Sequence, residues 1–181
     1  TYSSFTASHS LKVGQISRAL AAWMNQPELE CRKIEIAGYL HDIGKVYIPL
    51  AILEKQGELN DKELLQVREH SYMTGEILSA FSELGDIVNW AANHHEKLDG
   101  SGYPLHLSGD YLQLADRIIA IADIFTALTE DRPYRPGMSR QQALRLIEGD
   151  VTNGALDKDV YRVLHQHAEA LHAIITHTLP S

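Results

Sequence analysis

The chain has 181 residues, 44% of them apolar and 22% charged, which predicts a globular protein with a substantial core. Its formal net charge of -8 argues against a DNA duplex as a partner, because an acidic surface repels a polyanion. No apolar run approaches the roughly 20 residues of a membrane helix, no secretory signal is visible, and the single cysteine excludes a disulfide framework. We therefore predict a cytoplasmic protein without a membrane segment.

Helical periodicity of apolar residues runs through nearly the whole chain. Two capping boxes mark helix starts, one formed by Asn60 and Glu63 and the other by Ser139 and Gln142. In chain order, the predicted helices cover residues 6–25, 27–41, 60–80, 84–96, 112–130, 139–148 and 157–179. Residues 99–109 hold three glycines and a proline and predict a loop. Since no alternating strand pattern of useful length is present, the sequence predicts an all-α fold, a single helical-bundle domain.

A histidine and an aspartate stand together at the end of the second predicted helix, in LHDIGK. A histidine at that place has an ordinary explanation, because its imidazolium interacts favourably with the helix dipole. Asp42 does not fit that explanation, since a carboxylate at a helix C-terminus is electrostatically misplaced unless a metal cation lies nearby. His41 and Asp42 are therefore candidate metal ligands.

Asp123 interrupts the most apolar of the predicted helices, in IIAIADIF. An ionised carboxylate buried in such a helix costs several kcal/mol unless it is paired or bound to a metal. Two interpretations remain open from the residues alone. One is a buried ion pair with Arg117 or Arg132, and the other is a metal ligand.

Four further histidines fall within predicted helices. On a regular helix the adjacent His94 and His95 would diverge by about 100°, so a single ion would not take both, whereas two ions a few ångströms apart could. His9 in ASHSLKV and His70 in REHSYMTG would each, if taken singly, more often be structural than a ligand.

Considered together, these residues comprise five histidines and two aspartates from five predicted helices. They are His9, His41, Asp42, His70, His94, His95 and Asp123. Seven ligands are too many for a tetrahedral zinc site, but they suit two octahedral ions with Asp42 as the bridging ligand. Imidazole and carboxylate without thiolate favour two divalent first-row ions such as iron or manganese. Lys45, three residues after Asp42, would share an anion such as a phosphate with those ions; the alternative is a solvated lysine.

Several motifs of the sequence together resemble the HD-GYP domain, the branch of the HD metallophosphohydrolase superfamily that cleaves cyclic di-GMP in bacteria. The resemblance covers almost all of residues 1–181. It rests on HDIGK and HHEKLDGSGYP, together with HSLKV, IPLAILEKQGELN, EHSYMTGEIL and IIAIADIFTALTEDRPYR. The letters HD alone are weak evidence, whereas HD followed by GYP at this separation is specific. The resemblance implies an all-helical core of the HD superfamily type around two or three metal ions.

The resemblance also implies roles for individual residues. The family's metal ligands fall on the seven residues named above, and Asp42 and Lys45 are implied as catalytic. Predicted substrate contacts are Lys45, Gly102, Tyr103, Arg132 and Arg135, with Gly102 letting the loop backbone approach the substrate without a Cβ clash. Members with three ions carry a glutamate one helical turn before the first histidine. This sequence has Phe5 there, so we expect two ions.

The implied activity is metal-assisted hydrolysis of cyclic di-GMP to linear pGpG. A second hydrolysis step would convert pGpG to GMP. Three alternatives stay open: a preference for pGpG or cyclic GMP-AMP, a nucleotidohydrolase or 5′-nucleotidase of the wider HD group, and a binding module that has lost turnover. The GYP loop is also a candidate contact for a diguanylate cyclase domain. Because the chain begins with Thr1 rather than Met, we expect a piece of a longer protein. The resemblance implies that this longer protein is a signalling protein with a sensor or receiver domain upstream.

Overall fold

The computed structural model describes residues 4–131 and 136–177, and within these ranges the regular elements are helices. The α-helices are α1 (Ser4–Trp23), α2 (Glu28–Leu40), α3 (Leu50–Leu53), α4 (Asp61–Leu78), α5 (Ile87–Ala92), α6 (Leu114–Thr129), α7 (Arg140–Thr152), α8 (Lys158–Gln166) and α9 (Ala168–His177). Two 3₁₀ turns cover Ile43–Tyr47 and Ser82–Leu84. Within the described ranges the β pairing found is an isolated bridge between Asp99 and Ser108. The all-α prediction is confirmed.

Both predicted capping boxes are present and begin their helices where the sequence placed them. The Asn60 side chain accepts from the Glu63 amide at 3.0 Å, and the Glu63 carboxylate accepts from the Asn60 amide at 2.8 Å. Ser139 and Gln142 form the same reciprocal pair at the start of α7. Each box satisfies amide groups that a helix N-terminus leaves without an intrahelical partner.

The central helix of the fold is α6, which contacts α1, α2, α5, α7, α8 and α9. Its side chains Ile118, Ile119, Ile121 and Phe125 are fully buried. Burying such a side chain contributes roughly 1.5–3 kcal/mol, so this packing holds α6 firmly against its neighbours. Asp123 lies on the same helix, and its position is therefore set by the core.

Two predicted helices differ from the observed ones. The predicted helix over residues 84–96 is shorter, since α5 ends at Ala92 and Asn93 leaves the helical conformation with φ -87° and ψ 3°. The predicted helix over residues 157–179 is two helices, α8 and α9, separated at His167, whose ring stacks on Trp23 at 4.0 Å. Apolar periodicity continues across the break at His167, because α8 and α9 each bury their own apolar face in the core.

None of the helices in the described ranges could cross a lipid bilayer, because none unites sufficient length with sufficient apolar character.

Candidate metal centre

The structure brings all seven predicted ligands into one cluster. His9 comes from α1, His41 and Asp42 from the residues just after α2, and His70 from α4. His94 and His95 follow α5, and Asp123 comes from α6. The cluster contains three overlapping groups whose ligand atoms lie within 4.8 Å of one another: His9, His41 and Asp123; His41, Asp42 and His94; and His70, His94 and His95. Their role as metal ligands stays a prediction.

Asp42 lies at the centre of the cluster, and its two carboxylate oxygens face different neighbours. Oδ1 is 3.3 Å from His70 Nε2 and 4.0 Å from His94 Nε2. Oδ2 is 3.4 Å from His41 Nε2 and 2.6 Å from Lys45 Nζ. The side chain is almost completely buried. The two oxygens of Asp42 thus face different histidines, and its role as a bridging ligand stays a prediction.

Among the described residues, Asp123 is paired with histidines and not with Arg117. Its Oδ1 lies 2.9 Å from His9 Nε2 and 3.8 Å from His41 Nε2. Arg117 forms its ion pair with Asp157, at 3.0 Å. Arg132, the other predicted partner, lies outside the described residues. The geometry thus favours the ligand interpretation of Asp123 over an ion pair with Arg117.

His94 and His95 lie in a turn, and the prediction that they belong to a helix is wrong. Their ring centroids are 4.0 Å apart, so the two side chains do not diverge as they would on a regular helix. His94 Nε2 is 3.2 Å from His70 Nε2, and His95 Nδ1 is 3.9 Å from Asp123 Oδ2. Because the helix ends at Ala92, two consecutive imidazoles can face one cluster.

Backbone carbonyls hold three of the imidazoles with Nε2 towards the cluster. In His41, His70 and His94, Nδ1 lies within hydrogen-bonding distance of the carbonyl three residues earlier. The acceptors are Gly38 at 2.7 Å, Val67 at 2.5 Å and Ala91 at 2.7 Å. A proton on Nδ1 satisfies each carbonyl and leaves the Nε2 lone pair free to bind a cation.

The electrostatics of the metal-free cluster favour neutral His41, His94 and His95 beside ionised carboxylates. Burial lowers the pKa of His41, lowers that of His94 well below its ordinary value, and lowers that of His95 to about 4. Burial alone would raise the pKa of the Asp42 carboxyl, but His41 and Lys45 hold it well below its usual range. Burial alone would also raise the pKa of Asp123, but its hydrogen bond with His9 holds that pKa low. These are the protonation states that metal binding requires.

The turn after α2 is fastened to α4, which sets the distance between Asp42 and His70. The Gly44 amide donates to Thr74 Oγ1 at 3.0 Å, and that hydroxyl donates to the His41 carbonyl at 2.9 Å. A Cβ on Gly44 would collide with the His70 carbonyl oxygen and come within 2.7 Å of the Thr74 amide nitrogen. Glycine is therefore required where the two segments meet.

The glycine-rich loop is fastened to the residues that follow the histidine pair. The buried carboxylate of Glu96 accepts from the Leu105 amide at 2.6 Å and from the Leu107 amide at 3.0 Å. The Tyr103 amide donates to the His95 carbonyl at 3.1 Å. The Tyr103 ring lies 4.7 Å from the His95 ring, and the Arg68 guanidinium stands 5.2 Å from the centre of the Tyr103 ring. The loop therefore presents Tyr103 beside the cluster.

The remaining predicted site residues have different outcomes. Lys45 lies beside Asp42, with about a quarter of its side chain exposed, so it is not a fully solvated lysine. Gly102 is buried against the backbone of Glu96, which explains the glycine without a substrate; its substrate contact stays a prediction. Arg132 and Arg135 lie outside the described residues.

Among the described residues, the neighbours of the cluster that were not predicted from the sequence include Arg68, Glu96 and Glu130. Glu96 directly follows the histidine pair, and Glu130 stands seven residues after Asp123, about two helical turns along the same face. That spacing is a signal that could have identified Glu130. Arg68 carries no such signal, because its approach to Tyr103 depends on the loop.

The sequence is similar to a known protein family and to known phosphodiesterases. The family model described as HD domain matches residues 2–160. The chain is 40% identical to 3′3′-cGAMP-specific phosphodiesterase 1 of Vibrio cholerae over 92% of its length and 39% of that protein. It is 36% identical to a cyclic di-GMP phosphodiesterase of Pseudomonas aeruginosa over 90% of its length and 39% of that protein. The chain therefore spans about two fifths of these relatives.

Solved structures show the same fold at low sequence identity. An HDG"Y"P protein from Bdellovibrio bacteriovorus superposes with a TM-score of 0.74 at 17% identity, over 91% of this chain and 52% of that one. The HD domain of phosphodiesterase PgpH from L. monocytogenes, in complex with cyclic-di-AMP, superposes with a TM-score of 0.69 at 17% identity, over 95% and 92% of the two chains. At this identity the likeness is one of fold alone.

Proposed function

This chain belongs to the HD domain family and carries the motifs of its HD-GYP type, and from that premise we propose that it is a metal-dependent phosphodiesterase for a cyclic guanine dinucleotide. We take cyclic di-GMP as the substrate and linear pGpG as the first product. The observation that carries the proposal is the convergence of five imidazoles and two carboxylates, from five segments of the chain, in one cluster.

The donor set fits two divalent cations. Two of the three groups share no residue, and each offers three donors. We call His9, His41 and Asp123 the first group and His70, His94 and His95 the second group; Asp42 lies between them. The one cysteine of the sequence, Cys31, lies near the start of α2 and is not among the donors of the cluster. The donors are therefore nitrogen and oxygen atoms, which suit iron or manganese. Two such ions would supply Lewis acidity at the scissile phosphate and would lower the pKa of a bound water.

Two side chains beside the cluster are suited to hold the substrate. From its partly exposed position next to Asp42, the Lys45 ammonium can donate to a phosphate oxygen and stabilise charge that gathers there during hydrolysis. Burial, together with the charge of Asp123, raises the pKa of Tyr103, so its phenol stays protonated and can donate a hydrogen bond. Arg132 and Arg135 stay predicted contacts for phosphate or guanine.

Asp42 gives the direct test of the proposed function. We expect Asp42→Ala to lose bound metal and to lose hydrolysis of cyclic di-GMP, because it removes the carboxylate that faces both groups of ligands. Metal content by elemental analysis and product formation by chromatography measure the two effects. Asp110→Ala, at an exposed aspartate, is the matched control. If Asp42→Ala keeps both its metal and its turnover, the proposed mechanism is wrong.

A second candidate substrate is 3′3′-cyclic GMP-AMP, because the relative reported above at 40% identity is named for that nucleotide. Parallel assays of cyclic di-GMP, cyclic GMP-AMP and pGpG under reducing conditions, with iron or manganese supplied, separate the candidates. Tight binding of a nucleotide without turnover would favour a binding module. A cytoplasmic location, a diguanylate cyclase contact through the GYP loop and an upstream sensor or receiver domain stay predictions.

A further inference from the structure

Glu130 is a buried carboxylate directly behind the candidate metal centre. It caps the C-terminus of α6, and its side chain has no exposed surface. Its Oε1 lies 2.7 Å from His9 Nδ1, while Asp123 Oδ1 lies 2.9 Å from Nε2 of the same ring. Its Oε2 lies 3.5 Å from Lys12 Nζ. Two carboxylates of one helix segment therefore hold the His9 imidazole from opposite sides.

This contact sets His9 apart from the histidines that donate to backbone carbonyls. A carbonyl is a neutral acceptor, whereas the Glu130 carboxylate is charged, and hydrogen bonds to a charged acceptor are roughly twice as strong as neutral ones. A carboxylate behind a ligating histidine fixes the tautomer and ring orientation and makes the ligand nitrogen more basic. The difference is confined to the first group, since His70 and His94 of the second group face the carbonyls of Val67 and Ala91.

We propose that Glu130 is a positioning residue for the candidate metal centre. Once a cation has replaced the Nε2 proton, Glu130 holds His9 as the Nδ1–H tautomer, with Nε2 directed at the Asp123 side of the cluster. It thereby strengthens the binding of a divalent cation by the first group and leaves binding by the second group unchanged. This inference rests on the proposed function, because it concerns the metal affinity of that site.

A purely structural role would make a different prediction. If Glu130 served only to neutralise Lys12 and to close the end of α6, its replacement would lower the stability of the whole protein and weaken both ions alike. The positioning role predicts a selective effect on one of two ions. Selectivity is therefore the property to measure.

The test is a titration of the metal-free protein with Mn²⁺, followed by electron paramagnetic resonance, for the wild type and three variants. Glu130→Gln keeps the size of the side chain and removes its charge. Glu35→Gln is the matched control, since Glu35 is a partly buried glutamate that accepts from Arg18 and Tyr39 on another part of the surface. Asp42→Ala reports on the proposed function itself.

We expect Glu130→Gln to weaken one of two Mn²⁺ ions by about 10-fold to 100-fold and to leave the other unchanged, while Glu35→Gln binds both as the wild type does. If Asp42→Ala loses Mn²⁺ but Glu130→Gln binds both ions normally, or weakens both equally, the Glu130 inference is wrong and the proposed function stands. If Asp42→Ala keeps both ions, the proposed function fails, and the inference fails with it.

A measurement on the wild type keeps the inference testable even if Glu130→Gln does not fold. In the Zn²⁺-loaded protein, ¹H–¹⁵N NMR of the histidine rings should show a slowly exchanging proton on His9 Nδ1, assigned by its loss in His9→Gln. A proton on Nε2, or an Nδ1 proton that exchanges as fast as that of the exposed His106, would overturn the inference.

Discussion

At the scale of single residues, two histidines find at a helix end the acceptor that fixes which nitrogen they offer to the site. The last turn of a helix leaves carbonyl groups without intrahelical partners. His41 is the C-cap residue of α2, and His94 comes one residue after the C-cap of α5. Each can therefore satisfy a free carbonyl through Nδ1 and direct Nε2 away from the helix. For both the HD and the HH motif, the carbonyl that orients the histidine thus lies three residues earlier, in the helix that precedes the motif.

Lys45 is the residue for which charge stabilisation can be tested apart from metal binding. We expect Lys45→Met to lower kcat by about 100-fold or more, as the loss of one preorganised donor typically does. Bound metal should stay near the wild-type content, because Lys45 is not among the seven predicted ligands. Lys62→Met, at an exposed lysine on α4, is the control. Wild-type kcat in Lys45→Met would contradict the role proposed for this side chain.

At the scale of elements, the loop of residues 99–109 is positioned by the turn that carries the two adjacent histidines. Glu96 holds two loop amides, and Gly102 lies against the backbone of the same turn. The loop and the second group of ligands are therefore one structural unit. A displacement of the loop would move Tyr103 relative to His95, and so would alter the opening of the site.

Gly102→Ala tests this coupling. The new Cβ would lie 2.5 Å from His95 O, from Glu96 Cα and from Lys97 N, so backbone must shift. We expect the free energy of unfolding to fall by roughly 1–3 kcal/mol, the usual cost of overpacking, and KM to rise because Tyr103 moves. Urea denaturation and steady-state kinetics measure the two effects.

The control for that substitution is Gly149→Ala. Gly149 is exposed on α7, and a Cβ there meets no atom within 4 Å. Alanine should raise the free energy of unfolding by up to about 1 kcal/mol, because glycine is a poor helix former. An equal effect of the two substitutions would show that the tight packing at Gly102 has no energetic consequence.

At the scale of the whole molecule, the packing of α6 against α1 and the ends of α2 and α5 concentrates imidazoles and carboxylates where water is largely excluded. In the metal-free protein this burial has opposite effects on different histidines. Burial lowers the pKa of His95 to about 4. Burial also opposes the charge on His9, but its hydrogen bonds with Asp123 and Glu130 outweigh that effect and raise its pKa to about 9.

These shifts predict that the metal-free protein is most stable near pH 6.5. Between pH 6.5 and 4 the unfolded chain binds more protons than the folded one at His41, His94 and His95. Asp116, whose pKa burial raises to about 6, has the opposite effect, but it is one group against three, so stability falls as pH falls. Between pH 6.5 and 9 the folded chain binds more protons at His9, so stability falls as pH rises. His95 alone should lower the free energy of unfolding by about 2–3 kcal/mol at pH 4.5.

Urea unfolding at pH 4.5, 6.5 and 9, with a chelator present, checks this profile. His95→Gln should flatten the acidic side and leave the alkaline side unchanged, because it removes one histidine that must be protonated on unfolding. A metal-free protein that gains stability between pH 6.5 and 4.5 would contradict the prediction.

The sequence by itself determined the helical class, both predicted capping boxes and the set of chemically unusual residues. Periodicity and capping act over a few residues, and a carboxylate such as Asp123 within an apolar helix is visible without a fold. Where the sequence failed, the cause was again local. Helical periodicity did not identify Asn93 and His167, the single residues at which the chain leaves the helix.

Tertiary structure alone decided which atoms face one another. His9 meets Glu130 across 121 residues and Asp123 across 114, and His70 meets His94 across 24. No local pattern specifies such pairs, because they depend on how α6 packs against α1 and how the turn after α5 lies against α4. The central position of Asp42 and the carboxylate behind His9 are for this reason properties of the fold, although every residue involved can be read in the sequence.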